Sequence, residues 1–210
     1  MAIPVIDAQL ERRVLDTGPI EIRKAGESDS TITLCGYAAV FDTLSEPLGG
    51  WREQIAAGAF ADCLGDDVRA LFNHDTSAVL GRTVSRTLRI AQDARGLKYE
   101  VDLPDTQAAR DLVTSIERGD VSQSSFAFRV APNGDRWDEN DEGVYIRTIT
   151  KVARLYDVSP VTFPAYPDAS VGLRSLEHWK ASHAPTPPDD SAVKRQIAAR
   201  SRELTILEIG

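Results

Sequence analysis

Polar and apolar residues alternate with a period of two along much of this chain. Val68, Ala70 and Phe72 alternate with Arg69, Leu71 and Asn73, which is the spacing of a strand with two unlike faces. Thr31 to Phe41 is β-rich, with Ile32, Leu34 and Cys35 ahead of Gly36-Tyr37-Ala38-Ala39-Val40-Phe41. Thr83 to Ala91 and Leu97 to Leu103 flank the turn-like Gln92-Asp93-Ala94-Arg95-Gly96, the layout of a hairpin. Val121 to Ala131, Val144 to Thr150 and Val152 to Phe163 complete the expected strands.

Two stretches change period. Ala56 to Leu64 reads as a short helix ending at Gly65. Thr106 to Arg118 reads as a longer one, with Asp105 or Thr106 as its N-cap and Gly119 after its end. Ala109, Leu112, Val113 and Ile116 fall on one side of it, the stripe of a helix packed on a core. Many strands and few helices predict a mainly β fold of the α+β class, built as a closed or nearly closed β-barrel.

The pattern is weak at both ends. Residues 1–18 read as a loose lead-in and residues 19–176 as the domain. Residues 177–210 read as a tail. It opens on a linker, Ala181 to Ser191, with Pro185, Pro187, Pro188, Asp189 and Asp190. Ala192 to Ile209 is then expected to form an amphipathic helix, with Val193, Ile197, Leu204 and Leu207 supplying most of its apolar side.

Composition narrows the function classes. The formal net charge is −8, and from Glu177 onward five basic residues balance five acidic ones, so the excess lies in the body. Nonspecific nucleic-acid binding needs clustered Lys and Arg, so no nucleic-acid partner is expected. No apolar run approaches the roughly 20 residues of a membrane helix, and no membrane partner is expected. Met1-Ala2-Ile3-Pro4 lacks a basic start followed by an apolar stretch, the mark of a secretory leader. The two cysteines, Cys35 and Cys63, form no metal-binding motif, so the expectation is buried reduced thiols, no metal and no cofactor.

The candidate chemistry lies in His74 and a serine-rich strand. His74 follows the alternating segment that ends at Asn73, where the chain should leave the sheet. Imidazole is the side chain whose ordinary pKa suits it to take a proton from a hydroxyl near neutral pH. Ser122, Ser124 and Ser125 crowd together before Phe126-Ala127-Phe128. Alternation puts Phe126 and Phe128 on the core face with Ser124, and Ser125 on the opposite face beside the small Ala127. A third group must orient the imidazole. Asp75 is adjacent to His74, but neighbours along an extended chain point apart. Asp157 lies in the apolar segment Leu155 to Val161, where a carboxylate needs a partner. Arg147 and Arg154 are structural alternatives for that partner.

Several blocks in order carry a resemblance, from about Ile20 to Ser175. They are Gly36 to Phe41, Gly58-Ala59-Phe60, Leu71-Phe72-Asn73-His74-Asp75, Gly81-Arg82, Gly119 to Phe128, and Asp157-Val158-Ser159-Pro160 through Pro167. In these blocks the chain resembles the HK97-type phage prohead (capsid maturation) serine proteases, related in fold to the herpesvirus assemblins. The resemblance implies an assemblin-type barrel with His74 as general base, Ser125 as nucleophile and Asp157 as third member. Relatives often carry methionine where Ser124 stands, glycine at Ala127, and glutamate at Asp157.

The implied activity is cleavage of scaffold, or of the scaffolding segment of the major capsid protein, and of the enzyme itself. The implied place is the bacterial host cytoplasm, inside the prohead, for a phage- or prophage-encoded enzyme. Major capsid protein, its scaffolding segment and a second copy of the chain are the implied partners. A non-catalytic assembly factor that binds capsid protein is the alternative of a different class. An esterase-like hydrolase is disfavoured, since no Gly-x-Ser-x-Gly elbow surrounds Ser125.

Overall fold

The computed structural model describes residues 10–14, 17–24, 31–163 and 170–183. The chain divides into two compact units, residues 1–175 and 176–210. In chain order the strands begin with β1 (Glu11–Val14), β2 (Glu21–Lys24), β3 (Ile32–Val40) and β4 (Trp51–Ile55). β5 (Arg69–Phe72), β6 (Asp75–Arg82), β7 (Leu88–Gln92) and β8 (Gly96–Asp102) follow. After helix α1 (Gln107–Glu117) come β9 (Gln123–Val130), β10 (Asp135–Glu139), β11 (Tyr145–Ile149) and β12 (Val152–Val161), then helix α2 (Ser170–His183).

The fold is mainly β with two helices among the described residues. The strands pair into three sheets, ordered β1-β9-β12-β5-β6, β10-β11-β4 and β2-β3-β8-β7. β12–β5 and β11–β4 are parallel, and the other pairs are antiparallel. No sheet closes on itself through these pairings among the described residues. One apolar core joins all three. Leu34, Leu97 and Val101 come from one sheet, Ile55 and Ile149 from another, and Phe126, Phe128 and Leu155 from the five-stranded one. Phe126 stacks on Phe128 at 4.7 Å and meets Phe60 edge-on at 5.7 Å. Burying each such ring stabilises the fold by roughly 2–3 kcal/mol relative to exposure.

Local chemistry explains the elements that were expected. The hairpin β7–β8 turns where Asp93 Oδ1 accepts hydrogen bonds from the backbone N–H groups of Arg95 and Gly96. Gly96 is required there, because a Cβ would sit 2.0 Å from the Ala39 carbonyl oxygen. Thr106 caps α1 by accepting from the Ala109 N–H, and Ala109, Leu112, Val113 and Ile116 are its buried face. Cys35 and Cys63 are buried free thiols.

Three expectations change. Ala56–Leu64 is not a helix but a run of tight turns, closed by bonds such as Ala59 N–H to Ala56 O and Cys63 N–H to Phe60 O. Gly58 at φ +84° breaks the helical path, while Ala59, Phe60 and Cys63 are held in the core. The strand expected from Thr83 begins only at Leu88, after a turn with Arg86 at φ +62°. Within the expected loose lead-in, Glu11–Val14 forms an edge strand on β9. The amphipathic helix expected over Ala192–Ile209, and the linker beyond residue 183, lie outside the described residues.

Candidate active site

Three adjacent parts of one sheet bring the candidate residues together. β9 carries Ser125 and β12 carries Asp157, and the two strands pair antiparallel with Ser159 opposite Ser125. β12 is also paired with β5, at whose end the chain reverses into β6. Asn73 and His74 form that reversal with φ of +53° and +57°. Two successive left-handed residues are the backbone of a tight hairpin turn. Asparagine adopts this region readily, whereas histidine does so less often, and such conformations gather at functional sites.

Asn73 anchors the turn to β12. Its N–H donates to Pro160 O at 3.0 Å, and its side-chain oxygen accepts from the Thr162 N–H at 2.9 Å and the Thr162 hydroxyl at 3.2 Å. The imidazole is thereby held between the other two groups. His74 Nδ1 lies 2.6 Å from Asp157 Oδ1, and His74 Nε2 lies 2.6 Å from Ser125 Oγ. A carboxylate has no proton to give, so Nδ1–H is the donor to Asp157. In the neutral ring, Nε2 is then the acceptor for the seryl hydroxyl. This tautomer is the one in which imidazole can take the hydroxyl proton.

Asp157 has a second donor. The hydroxyl of Ser159, wholly buried, gives its proton to the same Oδ1 at 2.7 Å. Neither arginine weighed as its partner serves it. Arg147 pairs with Glu11, Glu53 and Asp135, and Arg154 lies over the Tyr156 ring at 5.4 Å. Asp75 accepts from the Ser77 N–H and hydroxyl at the surface. Ser124 faces the core, within 2.8 Å of the Tyr99 hydroxyl, and burial pushes the Tyr99 phenol up to about 12. Sequence reasoning did not single out Ser159, although it is two residues beyond Asp157 and strand alternation gives it the same face.

A further contact was not foreseen. Ser125 Oγ also lies 3.0 Å from the backbone carbonyl oxygen of Arg13, a second acceptor for its one proton, and Ser125 has 0% of its surface exposed. Beside it, Arg13, Glu11, Glu53 and Arg147 form a buried ionic cluster. Among the described residues, no group of three or more His, Cys, Asp or Glu is arranged to hold a metal ion, and no helix is long and apolar enough to cross a membrane.

A strand-borne hydroxyl, an imidazole and a carboxylate in hydrogen-bonding series form the arrangement used by serine hydrolases. Residues 19–182 match the family model of the caudovirus prohead serine proteases. The chain belongs to that family. Among solved structures, it is similar to the bacteriophage T4 capsid assembly protease, gp21, at 13% identity and a TM-score of 0.47, over 74% of this chain and 98% of that one. No curated protein matches the sequence.

Proposed function

We propose that the chain is a serine endopeptidase of prohead maturation in which Ser125 is the nucleophile, His74 the general base and Asp157 the group that orients and charge-stabilises the imidazole. The observation that carries this is the pair of 2.6 Å contacts through His74, one to each partner. On this reading His74 Nε2 removes the seryl proton as Oγ attacks a peptide carbonyl. The imidazolium returns that proton to the leaving amine, and water repeats the cycle to release the acyl group. An oxyanion hole is required on this reading, and each donor in it contributes roughly 3 kcal/mol.

The substrate on this reading is scaffold or the scaffolding segment of the major capsid protein, together with the enzyme itself, inside the prohead in the host cytoplasm. The domain is residues 19–176, with sheets wrapped about one core in the manner of an assemblin barrel. Residues 177–210 are a docking or removable extension. The test is mass spectrometry of capsid protein co-produced with the wild-type chain or with Ser125→Ala. Cleavage lost in the variant supports the reading. Cleavage that persists defeats it, and binding without cleavage by the wild type leaves the assembly factor standing.

A further inference from the structure

Two exposed apolar side chains flank the turn that carries His74, and the proton relay has no use for either. Phe163 is 79% exposed and Val79 48% exposed. Apolar residues scattered singly over a surface carry no message, but these two share a neighbour. β5 lies between β12 and β6, so a residue just after β12 and a residue of β6 stand on either side of the strand that ends in the turn. The Thr162 N–H donates to the Asn73 side chain at 2.9 Å, and Phe163 is the next residue. Val79 stands opposite Leu71, two residues before Asn73.

Register puts Val79 on the face of the sheet that carries the reacting groups. Asp157 pairs with Arg69, and strand alternation gives Leu71 the same face as Arg69. Leu71 is buried yet stands outside the apolar core, as a residue on that outer face should. Val79 is opposite it, and the pairing then skips Thr76 to Ala78, because Phe72 is opposite Asp75. The skipped residues leave the ladder as a bulge. Asp75 holds its shape by accepting from the Ser77 N–H at 2.8 Å and hydroxyl at 2.6 Å. Bulges gather next to active sites, where they re-aim side chains, and Val79 is where this one rejoins the ladder.

Acyl transfer dictates which part of a substrate meets this surface. The proton that His74 Nε2 takes from Ser125 must pass to the leaving amine, so that nitrogen lies on the histidine side of Ser125 Oγ. The chain that follows the amine continues past the imidazole toward the turn that holds it. Phe163 and Val79 are the large exposed apolar groups beside that turn among the described residues. Asp75 is exposed and adjacent to His74. Its carboxylate sets a like charge against any acid on this side of the cut, which is a device of selection.

We propose that Phe163 and Val79 form the subsite for an apolar side chain of the substrate on the leaving-group side of the scissile bond. The substrate class is a peptide with leucine, isoleucine, phenylalanine or methionine in the first or second position after the cut, and no acid there. Burial of that side chain against the Phe163 ring and the Val79 methyls removes apolar surface of both partners from water. The subsite rests on the reading of Ser125 as nucleophile. It acts through binding rather than proton transfer, so its loss raises KM more than it lowers kcat.

The test is cleavage of a proteome-derived peptide library by the full chain, with the new N-termini read by mass spectrometry. Apolar residues should be enriched at least roughly threefold in the first two positions after the cut, and Asp and Glu depleted. No apolar enrichment on that side overturns the inference, and this comparison needs no variant. Phe163→Ser combined with Val79→Ser should reduce the enrichment to less than roughly half, with the preferences before the cut kept. Equal enrichment in the double variant overturns the subsite, and so does an equal shift on both sides of the cut, the mark of a general loss of structure. A library peptide resynthesised with leucine after the cut should lose roughly tenfold in kcat/KM with Phe163→Ser, chiefly through KM. A loss confined to kcat overturns the binding role. Sedimentation velocity distinguishes another occupant: if the double variant breaks up a wild-type dimer and keeps wild-type selectivity, the two side chains cover a second copy and the inference is overturned. A library left uncut by the wild type, or cut equally by Ser125→Ala, overturns the nucleophile reading instead.

Discussion

Removing the Ser159 hydroxyl isolates one link in the proposed relay without touching its members. In Ser159→Ala, Asp157 Oδ1 keeps the imidazole at 2.6 Å and loses the donor at 2.7 Å. A hydrogen bond to a charged group contributes about 1.5–3 kcal/mol. If that support acts only while Asp157 holds the imidazolium, the loss falls on the transition state and lowers kcat by roughly 10- to 150-fold. KM should stay within about twofold, because Ser159 is buried behind the relay and does not meet substrate. Ser159→Thr restores the hydroxyl on a residue type suited to strands, and should recover part of kcat. The assay is time-resolved cleavage of purified capsid protein by wild type and both variants, with melting temperatures recorded alongside. A folded Ser159→Ala with wild-type kcat would refute the role, as would a change confined to KM.

Other consequences follow from the same geometry. Asn73→Leu loses both Thr162 bonds and forces a bulky side chain to φ +53°. It should lower cleavage more than Asn73→Gly, which relieves the backbone strain, and wild-type activity in the leucine variant would contradict the turn's role. Arg147→Ala removes the cation shared by Glu11, Glu53 and Asp135 and leaves Arg13 alone against the first two, at a cost of about 3–5 kcal/mol. A calorimetric melt should fall by roughly 10 °C, and a fall under about 2 °C would contradict the cluster's burial. Burial raises the Cys63 thiol to about 12, so iodoacetamide at pH 8 should modify it only after denaturation. Tyr99 is likewise raised to about 12. Its neutral form is kept in the fold while the unfolded chain ionises near 10, so its contribution is whole below pH 10 and drains as pH climbs toward 12. Urea titrations at pH 9, 10.5 and 11.5 should register that decline.

Elements with local signals were legible in the sequence. The hairpin β7–β8 announces itself through Asp93 and Gly96, and α1 through Thr106 and its apolar stripe. β6 and β10 were not legible, because each follows from its neighbours rather than its own residues. Asp75, Thr76 and Ser77 open β6 at the surface, and β10 is Asp135-Arg136-Trp137-Asp138-Glu139 with only Trp137 buried. Ala56–Leu64 imitates a helix because its anchors recur at helical spacing, and one glycine in a left-handed conformation cancels that reading. His74, Ser125 and Asp157 could be picked out by residue type, local setting and resemblance. β1 could not, because its charges look like a solvated segment until Glu53 and Arg147, 40 to 136 residues distant, close around them.

Peptide mapping after fluorophosphonate treatment tests the catalytic assignment at its root. One adduct is expected, on the Ser125 hydroxyl, formed in the wild-type chain and lost when His74 is replaced by alanine. An adduct on a different serine, or one that forms equally fast without the His74 imidazole, would contradict it.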